Sequence, residues 1–145
     1  MPISYEIFPQ QNLLIYVFTD AITITEFFQV GDAVAQDPRY RGKMKIIMDM
    51  FSAELDVSVP DLYLAIRKHR EARQRGQEVG QTAVVSTNRS LQYLGETLTL
   101  LSFDSIANFG IFYNKMAAIR WLKLPEEETL QCWQEIRDKA SGIRT

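Results

Sequence analysis

The spacing of apolar and polar positions changes several times along the chain, and each change marks an element. Residues 3–8, ISYEIF, alternate and predict a half-buried strand. PQQN reads as a turn, and Leu13 to Phe18, LLIYVF, is an unbroken apolar run of good strand formers. The two predict an antiparallel hairpin. From Thr23 the period lengthens. Phe27, Val30, Gly31 and Val34 share one helical face, Thr23 and Glu26 have the spacing of a capping box, and Pro38 ends the helix. Ile46, Ile47 and Met48 form the body of the next strand, with Asp49 near its end and a serine-bearing loop expected to follow.

From Asp61 to Gly76 the pattern is helical again. Leu62, Ala65, Ile66, His69 and Ala72 lie on one stripe, and Gly76 suits the C-terminal cap. TAVVST from Thr82 predicts a strand, Leu91, Leu94, Leu98 and Leu101 a helix, and FGIFYN from Phe109 the last strand. KMAAIRWLKL is a short helix. Pro125 opens a final one, with three glutamates at its positive end and an apolar stripe of Leu130, Trp133 and Ile136. Strands alternating with helices require right-handed parallel crossovers. The expected architecture is α/β: a five-stranded, mostly parallel sheet with an antiparallel N-terminal edge hairpin and helices packed on it. All 145 residues form one domain, with its core at about 5–124 and the closing helix at 125–140.

Composition adds limits. The chain is 46% hydrophobic and 23% charged, ordinary for a globular domain, and its net charge of −2 supplies no field to recruit nucleic acid or anionic lipid. The longest early apolar run is far short of the ~20 residues that a membrane helix needs, and MPISYEIFPQ lacks the pattern of a secretory signal. Neither nucleic-acid binding nor membrane insertion is expected. Cys132 is the single cysteine, so no internal disulfide forms and a cytoplasmic setting is expected. One Cys and one His build no metal cage, and no glycine-rich phosphate loop is present, so neither metal nor cofactor is expected.

Ligands of open α/β sheets gather at the carboxyl ends of strands. The polar residues expected there are Thr19, Asp20, Asp49, Ser52, Ser86, Thr87, Asn88 and Asn114. A buried Asp49 must find hydrogen-bond donors, and loop amides or the start of the next helix would supply them. Ser58 and Asp61 form a second capping box. Serine–histidine catalysis is disfavoured. Ser58 lies eleven residues before His69, the single histidine, which at ~1.5 Å per helical residue separates them by ~16 Å. No catalytic residue is therefore assigned. The competing reading is a small hydrolase-like enzyme built on Asp20, Asp49, Ser86 and Asn88. Five Lys or Arg between Arg67 and Arg75 read as the solvated outer face of a crossover helix. Tyr63 and Leu64 lie off the inner stripe of that helix and offer a contact surface, so a homodimer is a further expectation.

Three stretches carry a resemblance. DPRYRGKMKIIMDM resembles the turn into the acid-ended central strand of the SpoIIAA-like branch of the STAS superfamily, the domain of sulfate transporters and anti-sigma-factor antagonists. ARQRGQEVGQTAVVST is similar to its long helix and next strand, and GIFYNKMAAIRWLKL to its closing strand and helix, over about Tyr5 to Leu124. The resemblance implies a largely non-catalytic module that recognises a protein partner or a small apolar, lipid-like ligand. It also implies phosphorylation of a serine or threonine at the helix start after the central strand, where Ser58 falls. The family's Asp-Ser-Ser-Gly signature reads Asp56, Val57, Ser58, Val59 in this chain. The binding and regulatory candidates are thus Asp49, Ser52, Asp56, Ser58, Ser86 and Asn88.

Overall fold

A computed structural model describes residues 2–76, 80–101 and 108–142, with the backbone alone at 55 and 56. The strands are β1 (Ile3–Phe8), β2 (Leu13–Thr23), β3 (Lys45–Asp56), β4 (Thr82–Val85) and β5 (Phe109–Phe112). The helices are α1 (Ile24–Gln36), α2 (Val59–Gln74), α3 (Arg89–Leu100), α4 (Lys115–Leu122) and α5 (Glu126–Ala140), besides a 3-10 turn at Pro9–Gln11. One sheet runs β1-β2-β3-β4-β5, with β1 antiparallel to β2 and the other neighbours parallel. Element order and strand directions are those that the sequence predicts.

The connections through α1, α2 and α3 each step to the next strand in the same direction. Right-handed crossovers therefore place all three helices on one face. The packing agrees: Val34 and Phe27 of α1 and Leu91 of α3 meet Leu14, Phe18, Ile46 and Met50. On the other face, Ala118, Ile119 and Leu122 of α4 and Trp133 and Ile136 of α5 pack on Leu13, Ile15, Ile47 and Val85. The unbroken apolar run of β2 has this cause: alternate side chains fill two cores, and Leu13 to Phe18 are all buried.

One expectation is corrected. The serine-bearing stretch after Met48 is not a loop, because β3 continues to Asp56 beside an equally extended β2, with Thr23 opposite Asp56. Asp49 thus lies inside the strand, and Ser52 and Asp56 belong to the strand as well. Ladder pairing overrides the polar composition here. The register slips once, from Val17 opposite Asp49 to Thr19 opposite Ser52, so Met50 and Phe51 together face Phe18. This bulge adds one residue to β3 and bends it.

Close approach explains one glycine. A Cβ on Gly80 would stand 1.8 Å from the carbonyl oxygen of Met44. Only a bare Cα lets the chain enter β4 this close to the start of β3.

Candidate functional site

Asp49 is 1% exposed and sits on the α4–α5 face of the sheet. Its Oδ2 accepts hydrogen bonds from Trp133 Nε1 at 2.7 Å and from Arg137 Nη1 at 2.6 Å. Its Oδ1 accepts from the Phe51 amide at 3.2 Å, a donor that lies within the bulge. The expectation that loop amides or the start of the next helix hold Asp49 is corrected by α5. Trp133 and Arg137 stand one turn apart on its inner side and cover the carboxylate. The charge has a partner and three donors, which is what a buried carboxylate requires.

Lys115, the first residue of α4, places Nζ 5.0 Å from the centre of the Trp133 ring. Burial holds its pKa below the usual lysine value. Arg137 lowers it further, and Asp49 pulls the other way. Burial likewise raises the pKa of the Cys132 thiol, with Glu135 and Glu128 adding to the shift. Among the described residues, no buried side-chain nitrogen or oxygen lacks a hydrogen-bond partner.

The other candidates have local tasks. Ser86 is buried, and its Oγ accepts from the Asn88 amide at 3.0 Å. Asn88 caps α3, its Oδ1 accepting from the Ser90 amide at 2.8 Å. Ser58 caps α2 reciprocally: its Oγ accepts from the Asp61 amide at 3.3 Å, while Asp61 Oδ2 accepts from the Ser58 amide at 3.0 Å. Ser52 is exposed on β3 opposite Thr19, and the side chain of Asp56 lies outside the described residues. Asp20 is exposed and left-handed (φ 61°), a conformation that aspartate tolerates better than most residues. Asn114 caps α4 through the Ala117 amide.

The fold brings Asp49 opposite Val85, one residue before Ser86, but turns their polar atoms to different partners. Ser58 and Asn88 start helices on the face opposite α5. Sequence reasoning missed Trp133 and Arg137 as the partners of Asp49. Their helical spacing was visible, but their carboxylate lies 84 and 88 residues away in sequence.

A second feature lies on α2. Val59 and Tyr63 are 60% and 58% exposed, and with Pro60, Arg67 and Arg70 they line an open groove of about 630 Å³. Tyr93 and Leu100 of α3 are 72% and 85% exposed. Four of the five large hydrophobic residues most open to water among those described therefore belong to one layer, and the fifth is Tyr113 just after β5. Among the described residues, no group of His, Cys, Asp or Glu could hold a metal ion, and no helix is long and apolar enough to cross a membrane.

A solved structure shares this arrangement. An uncharacterised protein of the DUF3478 family from Shewanella loihica PV-4, described as having a SpoIIAA-like fold, superposes with a TM-score of 0.55 at 14% identity. The match covers 83% of this chain and 93% of that one. The chain has a SpoIIAA-like fold. No family model and no curated protein matches its sequence. Within the SpoIIAA-like frame, the candidate surfaces are the covered Asp49 cluster and the open face of α2 and α3.

Proposed function

We propose that this SpoIIAA-like protein is a non-enzymatic recognition module of the STAS type. It works in the cytoplasm and binds a protein partner or a small apolar ligand on its α1–α3 layer. The observation that carries this reading is the asymmetry between faces. Tyr63, Val59, Tyr93 and Leu100 stand open on one layer, while among the described residues no large hydrophobic side chain of α4 or α5 is comparably exposed. Scattered exposed apolar residues are ordinary, but their concentration on one layer marks a contact surface. Asp49, Ser86 and Asn88, which the enzymatic reading needs, are occupied in latching and capping. Ser58 stands exposed at the start of the binding helix, where a phosphate would meet the helix dipole and face Asp61 across the capping box.

The test is native co-purification with mass measurement, repeated on a Tyr63→Ser/Tyr93→Ser variant whose fold is checked by circular dichroism. A stoichiometric protein or apolar small molecule, lost in the variant, is expected. If the bound mass is a second copy of this chain, light scattering reads the homodimer directly. A turnover abolished by Asp49→Asn or Ser86→Ala in folded protein would replace this reading with the enzymatic one.

A further inference from the structure

Val59, Tyr63, Arg67 and Arg70 recur every three or four residues, so they form one stripe along three turns of α2, about 16 Å long at ~1.5 Å per residue. Its first half is apolar and its second half cationic. The concavity of about 630 Å³ lies along this stripe. Arg67 and Arg70 are exposed and have no ion pair among the described residues, although Glu71 follows Arg67 by one turn. Lys68, one turn after the lining residue Leu64, holds its Nζ 4.4 Å from the ring centre of Phe28 in α1.

We propose that this groove takes an acidic amphipathic segment of a partner protein, with bulky apolar side chains over Val59, Pro60 and Tyr63 and carboxylates against Arg67 and Arg70. The inference rests on the recognition-module reading and names the chemistry of its partner. Charge complementarity carries it. Two guanidiniums without an ion pair among the described residues present rigid forks that match carboxylates, and tyrosine and arginine are the side chains on which protein interfaces concentrate binding energy. The cations that line the groove are both arginines on one stripe. A flat anionic bilayer engages cations spread over a face, and the net charge of −2 supplies no field toward one. An enclosed apolar ligand would leave the two guanidiniums idle at the mouth.

The probe is a randomised twelve-residue peptide library displayed on phage and panned against the whole chain. Enrichment of peptides with Asp or Glu beside bulky apolar residues is expected. A synthetic copy should bind with an affinity that falls at least tenfold in Arg67→Glu/Arg70→Glu and in Tyr63→Ser, and that weakens as salt rises. A peptide with Lys in place of the acids should prefer the charge-reversed variant. Arg67→Gln/Arg70→Gln serves as the milder pair if reversal disturbs the thermal melt. Enrichment of peptides without acids, no enrichment, or acidic binding unchanged in both arginine variants overturns the proposal. Binding to phosphatidylglycerol-containing vesicles with no peptide enrichment overturns it in favour of a membrane. If a native partner still co-purifies with the arginine variants but is lost on Tyr63→Ser/Tyr93→Ser, the module reading stands and this inference fails.

Discussion

At the scale of single residues, Asp49 shows how a buried charge is tolerated. Its cost is offset by two charge-assisted or indole donors and one amide, all within 3.2 Å. Removing one partner of a buried pair is more damaging than never having had the pair. Arg137→Met should therefore lower unfolding stability by about 3 kcal/mol in urea titration, with little change in slope. Asp49→Asn, which keeps the shape but loses the charge, should cost less than Asp49→Ala. The opposite order would show that the carboxylate is not the latch. Gly80 is a second sensitive position. Because a Cβ there would collide with the backbone of Met44, Gly80→Ala should cost about 3 kcal/mol, near the top of the overpacking range. A neutral Gly80→Ala would disprove the close approach.

At the scale of elements, each crossover helix for which a capping box is seen starts where the chain leaves its strand. Thr23 with Glu26 starts α1, and Ser58 with Asp61 starts α2. Ser58→Ala and Thr23→Ala should each cost about 1 kcal/mol, read from denaturant midpoints, since both remove a side-chain acceptor from an orphan amide. The two losses should also add, because the caps serve different helices. A Ser58→Ala loss in partner binding well beyond its stability cost would show that the hydroxyl itself is recognised. These caps were legible in the sequence because they depend on residues three apart. The extension of β3 through Ser52 to Asp56 was not, because it is set by pairing with β2, some thirty residues earlier.

At the scale of the whole molecule, a charged network ties the last helix to the first strand. Glu6 pairs with Lys139 at 2.8 Å and with Arg39, and Arg39 pairs with Asp37 at 3.0 Å. Burial pushes the Glu6 pKa up, but hydrogen bonds from Lys139 and Arg39 outweigh this and leave it below its usual value. The Arg39 side chain and amide hold the Asp37 carboxyl down at about 2. Both groups are depressed in the folded state, so the unfolded chain binds more protons at acid pH. Their contribution is complete above the ordinary carboxylate values near 4 and fades as pH falls toward about 2. The melting temperature should drop steadily from pH 5 to pH 2, and Glu6→Gln/Asp37→Asn should flatten that slope. An unchanged slope in the double variant would assign the acid sensitivity to other groups.

The sequence by itself determined the order of elements, the mostly parallel sheet with its antiparallel edge, and the helix starts. Each of these follows from side-chain period and from contacts within a few residues. Only the tertiary structure decided that Asp49 serves α5 and that the open apolar positions of α2 and α3 share a layer. Those outcomes depend on which distant donors arrive beside an acceptor when two cores close on either side of one sheet. Local periodicity carries no record of that encounter, because the register of β3 and the docking of α5 are fixed together by burial.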